Sequence, residues 1–442
     1  MNKALLFLAG VALAAAAGCL HAPPPGAASP PVAATNATAA ATSNTVPTDA
    51  DAGPNDEAYR EMRLLTKALM LIRHDYVDDS KTGYSNLVHA ALSGMMQSLD
   101  PFSQFLEPSG FKDLREETQG EFGGLGIVVG TKDGVLAVIA PMEDTPAYRA
   151  GILAGDKIVE INGEKTDGLS IRDAVRKLRG EKGTSVRLAI LRGNDRKEFT
   201  LVRENIVMSS VKGTRLLEDG IGYVRVTEFS EPTARALEQA IEKLRQKNLQ
   251  ALVLDLRNNP GGLLNSAVEV SQLFLKPDTL IVSTRGRGGV ARTPPARSGG
   301  ARHYTGFPMV VLVNNGSASA AEIVAGALQD NKRAVLVGET TYGKGSVQNI
   351  MPLDDGNALR LTTARYYTPS GRCIHEKGIE PDIAVPMTTE EWVNAMMKRN
   401  YEENPELFPD KSKPANLDHA ADRQLERALD VLKGILVFRA ND

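Results

Sequence analysis

Pro308-Met-Val-Val-Leu-Val313-Asn-Asn-Gly-Ser-Ala-Ser319-Ala-Ala-Glu322 and, just beyond it, Ala334-Val-Leu-Val-Gly338-Glu-Thr-Thr-Tyr-Gly343-Lys344-Gly-Ser-Val-Gln348 decide how this chain is read. Each opens as a short apolar run with the length and composition of a buried strand. Each run then gives way to small, turn-forming residues. Between them, Ala321 to Gln329 places Ile323, Ala327 and Leu328 on one side of a helix. Two strand ends thus deliver a serine and a lysine from crowded turns. That pairing suits a serine nucleophile whose general base is lysine.

A serine hydroxyl attacks only when a neighbouring base removes its proton. Lysine serves as that base only when neutral, so its pKa must fall from about 10.4 towards 7, which costs about 4 kcal/mol. Burial supplies the shift, because low dielectric disfavours the ammonium. A helix starting near Ser319 pushes the same way through its positive N-terminus, and its free N–H groups can hold an oxyanion. Two other readings compete. Ser319-Ala-Ala-Glu322 is equally an S-x-x-E capping box. Gly338 to Lys344 matches the phosphate loop G-x-x-x-x-G-K, but Gly345 stands where magnesium binding needs Ser or Thr, so nucleotide binding is a distant third reading.

Asn315-Gly-Ser-Ala-Ser-Ala-Ala-Glu-Ile323, Gly326-Ala-Leu-Gln-Asp330 and Gly343-Lys-Gly-Ser-Val-Gln348 resemble the core motifs of the C-terminal processing peptidases, also called tail-specific proteases. The resemblance runs from about residue 57 to 387. It implies Ser319 as nucleophile, Lys344 as base and Gln348 as its support. It also implies an oxyanion N–H from Gly262, in the turn Arg257-Asn-Asn-Pro-Gly261-Gly262, partnered by that of Ala320. Family members often carry serine where this chain has Ala321. The chemistry calls for no metal and no cofactor. The expected fold is an α/β catalytic core with an inserted β-rich PDZ domain and helical N- and C-terminal regions.

The chain has 442 residues, a net charge of -3 and 24% charged residues, an ordinary balance that gives no reason to expect nucleic acid as partner. Its two cysteines, Cys19 and Cys373, provide no disulfide framework. Residues 1–19 read as a signal peptide: Lys3, an uncharged apolar run to Ala17, then Ala16-Ala-Gly-Cys19. Small residues before Cys19 resemble a bacterial lipobox, although Ala16 stands where leucine is usual. Cys19 is then the lipidated first residue of an exported, membrane-tethered protein of the cell envelope. Simple cleavage and release is the competing outcome.

Residues 20–56, rich in Ala, Pro and Thr and lacking Lys and Arg, read as a tether that cannot bury enough surface to fold. Residues 57–118 read as a helical front, with Met62, Leu65, Leu69, Ile72 and Tyr76 at helical spacing, a second helix near 85–99, and then Leu99-Asp-Pro-Phe-Ser103. Residues 119–204 resemble a PDZ domain. Phe122-Gly123-Gly124-Leu125-Gly126-Ile127 looks like its carboxylate-binding loop, Leu125 and Ile127 are expected to offer an apolar pocket, and Ile171 to Leu178 is expected to be the groove helix. Residues 205–387 alternate strands with helices, as an α/β core does. Residues 388–442 read as helical, with Leu425, Leu429, Leu432 and Ile435 forming a stripe that must cover either the core or a second subunit.

No G-x-S-x-G elbow occurs, and the penicillin-binding signature is out of order. Cys373 beside His375 is too small a set for a metal site. The five arginines between Arg285 and Arg302 read as a solvated loop. The functional expectation is a serine endopeptidase that cuts exported proteins near their C-termini, with protein or peptide tails and a second copy of itself as partners. A PDZ scaffold with an inactive peptidase fold is the competing class, and the intact Ser319, Lys344 and Gln348 argue against it.

Overall fold

A computed structural model describes residues 54–132, 134–142, 144–289, 291–292, 302–403 and 421–440. The expected signal peptide with Cys19, nearly all of the expected tether and much of the arginine-rich loop lie outside these residues. The chain divides into two compact units, Met1–Ala91 and Leu92–Asp442. In the first, the helix Pro54–Asp75 carries the expected stripe. Met62, Leu65 and Ile72 on it remain exposed, as does Tyr76 just past its end.

The second unit is organised by a six-stranded sheet in the order Val211–Leu216, Ile221–Val226, Ala251–Asp255, Met309–Val313, Val335–Gly338 and Ile383–Ala384. The first strand is an antiparallel edge and the other five run parallel. A parallel sheet covered on both faces needs strands that are apolar throughout. Ala251–Asp255 and Met309–Val313 are buried at every position. Successive side chains alternate between the faces. Leu252, Leu254, Val311 and Val313 meet the helices Thr233–Arg245, Leu264–Gln272 and Ala320–Asp330. Val253, Val310 and Leu312 meet Ala428 and Leu432 of the last helix, Arg423–Ala440. The C-terminal stripe therefore covers this chain's own core.

A second, antiparallel sheet assembles Gln104–Leu106, Ser283–Gly286, Ala291–Arg292, Ser346–Pro352 and Ala358–Tyr367, with the last of these as its centre. A third sheet, from Ile127–Lys132 to Asp195–Val202, has its own core around Ile158, Ile161, Val186, Leu188 and Ile190. A two-stranded ribbon, Glu121–Gly124 with Glu204–Val207, stands where the chain enters and leaves this third sheet. In open α/β sheets, sites form outside the carboxyl ends of parallel strands. Here those ends carry the three turns singled out above, at Asn258–Gly262, Asn314–Ser319 and Glu339–Gly345.

Candidate active site

Ser319 ends the turn after Met309–Val313 and immediately precedes the helix Ala320–Asp330. Its backbone sits at φ 54°, ψ -114°, whereas an ordinary cap residue is extended. A serine held in the positive-φ region is a strained position that its surroundings must enforce. Those surroundings are specific. Asn314 N–H donates to Ser317 Oγ at 3.0 Å, and Ser317 Oγ donates to Leu256 O at 2.8 Å. Ser317 is thereby consumed in the turn and is fully buried. Asn314 Oδ1 accepts from Asn258 N–H, while Asn314 Nδ2 donates to Asn258 Oδ1, both at 2.8 Å. Ala318 N–H donates to Asn259 O at 2.9 Å. The serine turn and the Asn258–Gly262 turn are therefore one knitted unit.

Gly261 lies directly against the serine. A Cβ placed there would sit 2.7 Å from Ser319 Cβ and 3.0 Å from Ala320 N, at a φ of +104°. No other residue fits. The N–H of Gly261 is held by Asn259 Oδ1. Among the described residues, by contrast, the N–H groups of Gly262 and Ala320 donate to no partner. One of these N–H groups follows Gly261 and the other follows Ser319, so both lie in the two turns that meet here.

Lys344 arrives from the third turn. Its ammonium lies 4.8 Å from the Phe102 ring centroid, over the face of a residue in the Leu99–Ser103 motif. Asp100 folds that motif by accepting from the N–H groups of Phe102 and Ser103 at 2.7 and 2.8 Å. Burial drives the Lys344 pKa down to about 8, and Arg360 pushes the same way against the opposing pull of Asp100 and Glu322. The aromatic face favours the cation, so desolvation outweighs several attractions here. Among the described residues no hydrogen bond joins Lys344 to Ser319 or to Gln348. The Gln348 amide donates instead to Ser346 Oγ at 2.8 Å and, at 3.3 Å, to Thr362 Oγ1. Its strand shifts register against Ala358–Tyr367 between Val347 and Gln348.

Glu322 joins the serine and lysine segments, a role the sequence reading gave only as a cap. The Glu half of the capping box is formed: Glu322 Oε2 accepts from Ser319 N–H at 2.8 Å. The same oxygen accepts from Lys344 N–H at 2.9 Å. Oε1 accepts from Gly343 N–H at 2.7 Å and from Thr341 Oγ1 at 2.5 Å. Burial raises the Glu322 pKa, and these hydrogen bonds oppose the rise. We take the side chain as ionised, since three of its four donors are backbone N–H groups that can only donate.

In the third sheet, Gly126 sits at φ +71° with Thr145 so close that any Cβ would lie 2.3 Å away. The N–H groups of Leu125 and Gly126 donate to no backbone partner among the described residues. Ile127–Lys132 is an edge strand, and it touches the helix Ile171–Leu178. An edge strand beside a helix is the arrangement that accepts a peptide by strand addition. Leu125, however, is 3% exposed and belongs to the domain's own core. It is not an open pocket wall, because its apolar side chain is used in folding the domain. Phe122 lies in the entry ribbon beneath the Arg179 guanidinium, 4.1 Å from the ring centroid.

An α/β core that presents a serine and a lysine of lowered basicity, together with a peptide-accepting β-domain, defines a serine-type peptidase with a PDZ domain. Residues 220–385 match peptidase family S41, and residues 138–192 match a PDZ domain. The chain is 44% identical over 338 residues to the carboxy-terminal-processing protease of Bartonella bacilliformis, covering 74% of this chain and 75% of that protein. It is 39% identical over 321 residues to the carboxy-terminal processing protease CtpA of Bacillus subtilis, covering 72% and 68%. Among solved structures, a photosystem II D1 C-terminal processing protease shares 32% identity over 74% of this chain and 93% of its own, with a TM-score of 0.42. This chain belongs to peptidase family S41 and is a serine endopeptidase of the C-terminal processing type.

Proposed function

We propose that Ser319 Oγ attacks the scissile carbonyl and that Lys344 takes its proton and returns it to the leaving amine. The N–H groups of Gly262 and Ala320 hold the oxyanion, and Gln348 orients Lys344 once substrate is in place. The observation that carries this reading is the Glu322 carboxylate, which ties the Ser319 backbone to that of Gly343 and Lys344. Cleavage of an unfolded reporter protein by wild type and by Ser319→Ala is the test. An active Ser319→Ala variant would overturn the assignment.

The Phe122–Ile127 loop is proposed to receive the free carboxylate of a substrate tail through the Leu125 and Gly126 N–H groups, with the tail added along the Ile127–Lys132 edge. The enzyme is proposed to act outside the cytoplasm, in the bacterial cell envelope, lipid-anchored through Cys19. Among the described residues no helix is long and apolar enough to cross a membrane, so Cys19 is the anchor to test. Cys19→Ser should move the protein from the membrane fraction to the soluble one. A second copy of the chain is the proposed partner for the exposed stripe on Pro54–Asp75, since contiguous apolar surface of that kind marks an interaction site.

A further inference from the structure

Arg257 opens the turn that ends in Gly261 and Gly262, and its side chain is wholly buried. Each of its five guanidinium N–H groups has an acceptor. Nε donates to Asp255 Oδ1 at 3.0 Å, and Nη2 donates to Asp255 Oδ2 at 2.7 Å and to Asp422 Oδ2 at 2.8 Å. Nη1 donates to Asp422 Oδ1 at 2.7 Å and to Gln424 Oε1 at 3.1 Å. Three of these five acceptors come from the C-terminal segment. Asp422 also opens the last helix, since its Oδ1 accepts from Leu425 N–H at 3.0 Å. Gln424 is itself fixed by donating to Val385 O at 2.9 Å. Trp392 lies against both Arg257 and Arg399, and Arg399 stands 3.6 Å from Asp255.

A forked guanidinium held on both sides by carboxylates has one orientation, and the backbone that bears it shares that constraint. Here the Arg257 N–H also donates to Asp255 Oδ1 at 2.9 Å. The next residues, Asn258 and Asn259, are the ones tied to the serine turn.

We infer that Asp422 is a positioning residue for catalysis: through Arg257, the start of the last helix sets the placement of the glycine turn beside Ser319. This rests on the oxyanion role proposed above for Gly262. Its consequence is that the C-terminal segment belongs to the working site as well as to the core.

The test compares full-length Asp422→Asn with Leu432→Ala, which empties a buried site on the same helix without touching Arg257. Asparagine keeps the helix cap but sets one amide N–H against the guanidinium. Asp422→Asn should lower kcat at least tenfold with KM unchanged, below its own melting temperature. Asp422→Glu should recover part of that loss. Leu432→Ala should lower melting temperature while keeping kcat within about twofold. Unchanged kcat in Asp422→Asn, or losses that merely follow melting temperature in both variants, would overturn the inference. If Asp422→Asn does not fold, Gln424→Leu removes one acceptor and is judged by the same kcat and KM criterion. Failure of the oxyanion reading is separately visible. Asp422→Asn would then lower kcat while leaving affinity for a peptide aldehyde, whose adduct on Ser319 places an oxygen against the same donors, at the wild-type value.

Discussion

Glu322 is where two jobs meet in one side chain. It caps the helix behind Ser319 and holds the backbone from which Lys344 projects. Glu322→Gln replaces an acceptor-only group by one that must turn an NH2 towards backbone donors. Such a clash leaves buried donors unsatisfied, at about 1–3 kcal/mol. We predict a folded but weakened variant with kcat lowered at least tenfold, read from peptide cleavage and thermal melting together. Ser317→Ala should behave differently. It loses a buried hydroxyl with two partners, so stability falls by about 1–3 kcal/mol while cleavage persists. Ser319→Ala should lose cleavage by about 10⁴-fold or more with little change in stability. If the two serine variants exchanged these behaviours, the nucleophile would be Ser317.

Lys344 illustrates a conflict between stability and chemistry. Its pKa in the folded protein is about 8, below its ordinary value of 10.5. Between those two values the unfolded chain binds more protons than the folded one, so stability rises with pH across that window. Below about pH 8 the buried ammonium costs stability in full. Lys344→Met should therefore raise the melting temperature at pH 7 while abolishing cleavage, a common trade at active sites. A melting temperature that fell on this substitution would show that the ammonium is well accommodated.

Among elements, the parallel strands were legible because a run such as Met309–Val313, apolar at every position, has few other uses. The serine, lysine and glycine turns were legible because small residues and glycines interrupt those runs at strand ends. The pairing of the second sheet was not. Gln104–Leu106 and Ser283–Gly286 reach Ala358–Tyr367 across long stretches of chain, and short strands with mixed burial leave no period to read. The contact of Phe102 with Lys344 was hidden for the same reason. The pairing of Arg257 with Asp422 crosses 165 residues, and no local pattern announces it. The Phe122–Ile127 loop was legible in its glycines, but the burial of Leu125 depends on the domain's own packing. On the edge strand beside that loop, peptides with a free C-terminal carboxylate should be cleaved several-fold faster than amidated ones. Charged hydrogen bonds are about twice as strong as neutral ones. Equal kcat/KM for the two forms would remove carboxylate capture from this loop.

Across the whole molecule, three separated stretches converge at the carboxyl ends of one sheet, and the last helix closes its opposite face. The sequence left open whether that helix covered the core or a second subunit. Only the buried positions Ala428 and Leu432 answer it, because a helical stripe looks the same whatever it faces. The stripe of Pro54–Asp75 is the surface proposed above for self-association. Dilution monitored by light scattering should show a dimer that Leu65→Glu with Ile72→Glu dissociates, and a monomer at all concentrations would contradict this.

The lysine base is tested most directly by kcat/KM against pH from 6 to 10, measured on one peptide for wild type and Lys344→Arg. Only neutral lysine accepts the serine proton, so the wild-type value should rise tenfold per pH unit at first and level off above about 8. Lys344→Arg should stay inactive throughout, since guanidinium remains protonated over this range. A flat wild-type profile, or an active arginine variant, would contradict the serine–lysine mechanism.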